Sequence, residues 1–218
     1  PQVTPALHGL MASRARVLAE NGPDRWRAWL QHGQAAGAKP ADLYAAALAA
    51  HRLGQHDLAQ KLAQRLQTLA VPETRWAVDA LWMELALAPG GPSAAQAVPL
   101  KALRDAGLAG QQRTGVLLGA QAALATGAAP QAASRLQDWV VAHPRDALAW
   151  QTLAQAQLAL GHRLRAVRAD AESRAAQRDY AGAAERFKAA QALPTAERAM
   201  DPMELAIVDV RRREVEAQ

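Results

Sequence analysis

The sequence predicts an all-α protein, and three observations support that fold class. Half of the 218 residues are hydrophobic. Alanine dominates them, and the residues typical of strands are sparse. No segment alternates apolar and polar residues for long enough to indicate a β-strand. Short helical stretches separated by turn residues follow one another along the whole chain. We therefore expect an array of about eleven to twelve helices.

Start and stop residues place the predicted helices along the chain. Thr4 is suited to be the N-cap of a helix that has Pro5 at its first position and ends at Asn21–Pro23. A second helix carries Trp26 and ends near Gly33–Gly37. The remaining helices are predicted at about 41–53, 57–70, 73–87, 94–106, 111–126, 130–142, 146–160, 163–177, 180–192 and 202–217.

The longest apolar stretch is Gly115–Ala129, which is too short to span a membrane and is interrupted by Gln121. We therefore expect no membrane span. Gly115 and Gly119 indicate a place where two helices pack closely. Gly107 is expected to end the helix that comes before them.

Small residues recur with one spacing at three places in the chain. In each set an alanine is followed after seven residues by a glycine and after five more by a second alanine. The alanines allow two antiparallel helices to approach, and the glycine takes a positive φ in the turn between them. The second and third sets lie 34 residues apart. The first and second lie 73 apart, and an insertion near Ala88–Ser93 would explain most of the surplus over two such periods. The sets are Ala47-Gly54-Ala59, Ala120-Gly127-Ala132 and Ala154-Gly161-Ala166.

A wider signature surrounds the third set and recurs half a repeat later. The matching positions are Pro144, Trp150, Leu153, Ala154, Gly161 and Ala166, then Ala171, Asp179, Tyr180, Ala183, Phe187 and Ala190. This pattern resembles the tetratricopeptide repeat, a helical hairpin of about 34 residues. Two residues depart from it, since Arg178 replaces a turn glycine and Gln157 replaces an aromatic residue.

The resemblance implies a right-handed superhelical array of antiparallel helix pairs. It covers about residues 40–192. We expect residues 1–39 to form a degenerate or capping helical pair, residues 40–195 the array, and residues 196–218 a C-terminal capping helix. Such an array binds protein or peptide partners in its concave groove.

A narrower resemblance concerns the order and style of the helices. Leu7–Leu18 precedes the array, His143–Leu193 forms its best-matched part, and Asp209–Arg211 lies in the last helix. These segments are similar to the C-terminal region of periplasmic zinc metalloproteases of the β-barrel assembly-enhancing type. The resemblance implies a periplasmic location, outer-membrane assembly components or substrates as partners, and an HExxH protease domain earlier in the same polypeptide. The chain starts at Pro1 with no Met and no signal peptide, and we expect it to be a fragment or a processed product.

The residues themselves contain no catalytic constellation. None of the six histidines has a neighbouring glutamate and a second histidine four residues later, as HExxH requires. His51 and His56 lie five apart across a turn and are interpreted as surface residues. There is no cysteine, no nucleophile elbow and no phosphate-binding glycine loop. We expect this chain to be non-catalytic and to carry no metal or cofactor.

The net charge of +5 is mild and spread over many helices. Its densest cluster, Arg211–Arg213, lies between Asp209 and Glu214, which weakens a nucleic-acid interpretation. We therefore expect no nucleic-acid partner. Two alternatives remain: a free-standing bacterial repeat adaptor of another assembly, and an RNA-binding helical repeat.

The groove positions of the resembled family fall on mostly polar, uncharged side chains. They suit an extended peptide held through its backbone amides. Core packing is the favoured interpretation of the six tryptophans, with Trp139 and Trp150 the most constrained. If one of them is exposed in a groove, Trp82 or Trp26 is the first candidate. The predicted partner-binding residues are Tyr44, His51, Arg52, Gln121, Gln151, Thr152 and Gln155.

Overall fold

The computed structural model describes residues 4–87 and 94–218, and this part of the chain is all-α, as predicted. It contains thirteen α-helices, a short 3-10 turn at Pro72–Thr74 and no strand. The helices are α1 (Pro5–Ala19), α2 (Pro23–Gln34), α3 (Pro40–Arg52), α4 (His56–Leu69), α5 (Arg75–Ala86), α6 (Ala94–Ala109), α7 (Arg113–Ala125), α8 (Ala129–Ala142), α9 (Ala147–Ala159), α10 (Arg163–Ala176), α11 (Tyr180–Gln191), α12 (Thr195–Ala199) and α13 (Pro202–Glu216).

The expected helix order is confirmed, with one addition. The five-residue α12 lies between the helices predicted at about 180–192 and 202–217. The predicted insertion at Ala88–Ser93 lies outside the described residues.

The chain divides into two compact units, Pro1–Leu103 and Arg104–Gln218. In unit 1, α1 and α2 both pack against α3, and α3 packs against α4 and α5. The domain boundary predicted at residue 39 therefore lies inside unit 1. In unit 2, each of α7 to α10 packs against the next helix, and α13 packs against α10 and α11.

Helices two apart in the chain also touch. α3 contacts both α1 and α5, and α9 contacts α7. Neighbouring and next-but-one contacts together are the pattern of stacked helical hairpins. The packing is consistent with a helical repeat array, while the right-handed superhelix remains a prediction.

The three predicted turn glycines adopt left-handed backbone conformations. The φ angles are +73° at Gly54, +73° at Gly127 and +76° at Gly161. In each turn the amide that follows the glycine donates to the carbonyl five residues earlier, for example from His162 to Gln157 at 2.9 Å. This Schellman arrangement closes the first helix of each hairpin, which confirms the role predicted for the glycines.

The alanines of the sets lie where the paired helices meet. Ala47, Ala59, Ala120 and Ala132 are almost fully buried. Ala154 is the exception, because it is partly exposed beside a surface depression.

Arg178 occupies a fourth turn of the same kind. Its φ is +65°, the only positive value at a non-glycine among the described residues. The amide of Asp179 donates to the carbonyl of Arg174 at 3.0 Å, as in the glycine turns. Buried Ala171 and Ala183 flank it at the same spacing of seven and five. The chain thus makes the glycine-type turn with an arginine.

The predicted close packing at Gly119 is confirmed, but Gly107 does not end a helix. α6 continues to Ala109, and Gly107 lies against Gly119 of α7. A Cβ on Gly119 would come within 2.8 Å of the Gly107 backbone. Gly107 therefore serves helix packing, which local sequence alone does not distinguish from a helix stop.

The turns allow a matched test. We expect Gly161→Ala to lower the free energy of unfolding by about 1 kcal/mol, because the left-handed conformation penalises a Cβ. The space around that Cβ is open, so the cost is conformational. We expect Arg178→Gly to raise the free energy of unfolding by up to about 1 kcal/mol, since it relieves the same penalty. Urea unfolding measures both, and an equal loss of stability in the two variants would contradict this account.

Candidate functional site

The predicted partner-binding residues of unit 1 are only partly accessible. Tyr44 is 1% exposed. Its hydroxyl accepts a hydrogen bond from Arg14 at 3.4 Å, and Arg14 also donates to Glu84 of α5. Burial raises the pKa of Tyr44, while Arg14 acts in the opposite direction. Tyr44 thus joins α1 and α3 inside the unit and leaves no surface for a partner. Arg52 is exposed.

His51 is half-buried and next to His56. Their ring centroids are 5.5 Å apart in an edge-to-face arrangement. Nδ1 of His51 is enclosed and has no hydrogen-bond partner in the described part of the chain. Burial lowers the pKa of His51, His56 and Arg52 lower it further, and Glu84 opposes them.

In unit 2 the predicted glutamines lie on an exposed stripe of α9, which we call the α9 stripe. It consists of Leu148, Gln151, Gln155 and Leu158, spaced three, four and three residues apart on one helix face. The opposite face buries Trp150 and Leu153, so α9 presents the stripe outward.

The two leucines of the α9 stripe were missed from the sequence. Leu158 is 62% exposed and Leu148 is 41% exposed. The signal that could have found them is their helical spacing from the two glutamines. They add apolar contact area to a helix face that was predicted to be polar.

A surface depression of about 310 Å³ runs beside the α9 stripe. Gln151, Gln155 and Leu158 line it from α9, and Val167 and Asp170 line it from α10. The two glutamine amides have no hydrogen-bond partner among the described residues, so each offers an acceptor and donors to a partner. This geometry provides hydrogen bonds and apolar contact together.

The other two predicted residues of unit 2 differ from these glutamines. Gln121 is partly exposed on α7, the helix that contacts α9. Thr152 is 2% exposed, and its hydroxyl donates to the carbonyl of Leu148 at 2.8 Å. Like Tyr44, Thr152 offers no surface to a partner. The helical pitch places it on the buried side of α9.

Asp146 fixes the beginning of α9 and hence the direction of the α9 stripe. Its carboxylate accepts from the amide of Ala149, from Nε1 of Trp139 at 3.1 Å and from both sides of the Arg113 guanidinium at 2.7 and 2.8 Å. Burial would raise the pKa of Asp146, but these hydrogen bonds outweigh it and hold the pKa below its usual value. One carboxylate thus ties α7, α8 and α9 together.

The tryptophans only partly follow expectation. Trp139 and Trp150 are buried, as predicted, and Trp150 donates to the carbonyl of Pro144 at 2.9 Å. Trp82 is 3% exposed, which agrees with the core interpretation and removes it as a groove candidate. Trp26 is half-buried and donates to the carbonyl of Glu20. The most exposed of the six is Trp76, at 42%.

Gln157 shows how the chain accommodates a departure from the repeat pattern. It is buried, and its Oε1 lies 2.9 Å from Nδ1 of His162. The amide thereby finds a partner at a position where an aromatic side chain is usual in the resembled family.

The described residues were also considered as a metal site and as membrane spans, and they fit neither. Within residues 4–87 and 94–218, no group of three or more potential ligands is arranged to hold a metal ion. None of the helices described there combines the length and apolar character needed to cross a membrane.

In comparisons with known proteins, no family model matches the chain and no curated protein is significantly similar in sequence. The class defined by the fold is an all-α protein whose helices pack in neighbouring pairs. Its assignment to the tetratricopeptide family remains a prediction.

His51 predicts a pH dependence of stability. Because its pKa is lowered in the folded chain, the unfolded chain binds more protons below about pH 6.5, and stability falls as the pH drops through that value toward the folded pKa. We expect His51→Gln to lose less stability than the native chain between about pH 7.5 and about pH 5. Urea unfolding at both pH values measures this difference, and identical losses in the two proteins would exclude His51 as the cause.

Proposed function

We propose that this chain is a non-catalytic protein–protein interaction scaffold that holds an extended peptide segment along the α9 stripe. The observation that carries the proposal is the pairing of two glutamine amides, which have no partner among the described residues, with two exposed leucines on one helix face. Extended peptides present backbone amides at regular intervals, with side chains between them. The side-chain amides of Gln151 and Gln155 can bond with the peptide backbone, and Leu148 and Leu158 can contact the peptide side chains.

The arrangement in unit 2 favours binding through a fixed surface. α9 is held at its start by Asp146 and along its length by α8 and α10, so the α9 stripe is pre-organised. A rigid surface loses less conformational entropy when a partner binds.

At a finer level, we propose that the chain is the C-terminal tetratricopeptide domain of a periplasmic zinc metalloprotease. It would engage outer-membrane assembly components or substrates and present them to a protease domain in the same polypeptide. Support comes from the resemblance of Leu7–Leu18 and His143–Leu193 and from helix packing consistent with a repeat array. The proposed metal site belongs to the protease domain and not to these residues.

A matched pair of variants tests the scaffold proposal. The probe is an array of peptides of about ten residues, tiled from outer-membrane β-barrel proteins. Leu158→Glu places a charge in the α9 stripe, whereas Val141→Glu places one at an exposed apolar position of α8. We expect Leu158→Glu to lower the affinity for the peptides at least tenfold, or about 1.4 kcal/mol. We expect Val141→Glu to change the affinity less than about twofold.

Both side chains are exposed, so neither substitution should unfold the chain. Equal weakening by the two variants would place the binding surface elsewhere. Failure of all these peptides to bind at millimolar concentration would contradict the proposal that the α9 stripe holds segments of outer-membrane proteins.

The finer proposal is tested by the reading frame around this segment. We expect it to encode a signal peptide and then an HExxH domain upstream of Pro1. A frame without an HExxH domain would contradict the metalloprotease assignment and favour a free-standing repeat adaptor, leaving the scaffold proposal intact.

A further inference from the structure

A second depression in unit 2, of about 440 Å³, is lined by cationic and phenolic groups. Arg145 comes from the connection between α8 and α9, Arg178 from the turn after α10, and Tyr180 from the first position of α11. Ala175 and Ala176 complete its lining. We call this depression the Arg145–Arg178 cleft.

The two arginines of the Arg145–Arg178 cleft differ from every other arginine in unit 2. Each of the others donates to a carboxylate or to a backbone carbonyl. The side chains of Arg145 and Arg178, and the hydroxyl of Tyr180, have no such partner among the described residues. Among the described residues, the two guanidinium groups of this unit that lack such a partner thus lie around one cavity.

The backbone at Arg178 supports a role for its side chain. The three related turns use glycine, and here an arginine is held at a φ of +65° in the same hydrogen-bonded turn. A strained residue at a surface cavity is a recognised indication of function, because the strain is otherwise removed by glycine. Among the described residues, the Arg178 side chain makes no hydrogen bond or ion pair that would offset the strain.

We propose that the Arg145–Arg178 cleft binds a carboxylate group of a polypeptide partner. The planar guanidinium donates two parallel hydrogen bonds that match a carboxylate, and Tyr180 can donate a further one. The amide of Gly182 donates to the carboxylate of Asp179 at 3.0 Å, so one of the amides that a phosphate would use at the start of α11 is already occupied. The negative charge of Asp179 also disfavours a dianion more than a monoanion.

The Arg145–Arg178 cleft is connected to the α9 stripe through Arg145. This residue also lines a depression of about 660 Å³ together with Leu148, the first residue of the α9 stripe. A peptide segment on the α9 stripe could therefore place a carboxylate between Arg145 and Arg178. In this sense the inference rests on the proposed function and names the chemistry of its partner.

The experiment uses the 15N-labelled full chain and small probes, so it does not depend on peptide binding to the α9 stripe. N-acetylglutamate is titrated to about 50 mM, with N-acetylglutamine as the uncharged match and inorganic phosphate as a third arm. We expect N-acetylglutamate to shift the backbone amides of Arg145, Arg178 and Tyr180 and the Nε–Hε signals of the two arginines saturably. The uncharged probe should leave them unchanged.

Variants separate this site from general charge attraction. We expect Arg145→Ala and Arg178→Gly each to weaken N-acetylglutamate binding at least about tenfold. Arg213→Ala removes the same charge from an exposed residue that donates to its own helix, and should change binding less than about twofold. Arg178→Gly keeps the turn, and its backbone spectrum reports whether the fold is intact.

Absence of saturable shifts, equal shifts with N-acetylglutamine, or equal weakening by Arg213→Ala would overturn the inference. Phosphate binding tighter than N-acetylglutamate binding would overturn its carboxylate assignment. None of these outcomes affects peptide binding to the α9 stripe, which is tested through Leu158. If N-acetylglutamate binds but no peptide of the array does, the carboxylate site stands and its link to the proposed scaffold is lost.

Discussion

The structure depends on one constraint that recurs at four tight turns: the two helices on either side approach closely, and the turn residue takes a positive φ. Small side chains seven residues before and five after the turn meet the first condition. Glycine meets the second without strain at Gly54, Gly127 and Gly161. The same Schellman hydrogen bonds then end each preceding helix, so the geometry of one hairpin is reproduced along the chain.

That constraint determines which helix faces remain for binding. Once α9 is packed against α8 and α10, its rotation is set, and Trp150 and Leu153 turn inward. The α9 stripe, on the opposite side of the helix, must then face outward. Asp146 makes the arrangement more rigid by joining α7, α8 and α9 at the start of the helix. Both proposed binding features therefore follow from the way the hairpins pack.

The two proposed features would divide recognition between them. The α9 stripe supplies uncharged amides and leucine side chains, which suit many peptide sequences. The Arg145–Arg178 cleft supplies two unpaired cations next to an alanine lining, which suits one charged group. The Arg145–Arg178 cleft would favour a partner that has an acidic residue at the right distance. The α9 stripe would hold that partner along its length. Electrostatic contacts of this kind contribute to specificity and association rate more than to affinity.

The sequence by itself determined the helical class, the turn positions and the buried small residues, because these depend on spacing and on local backbone preference. It also predicted Gln151 and Gln155 on an exposed face. The tertiary structure alone decided the accessibility of individual side chains. Tyr44 and Thr152 point into the packing, Gly107 continues a helix to meet Gly119, and Trp82 is covered. It also brought Arg145 and Arg178, 33 residues apart in the chain, to one cavity. Such outcomes depend on which helix covers which face. Local residue spacing does not specify which distant segment of the chain packs against a helix.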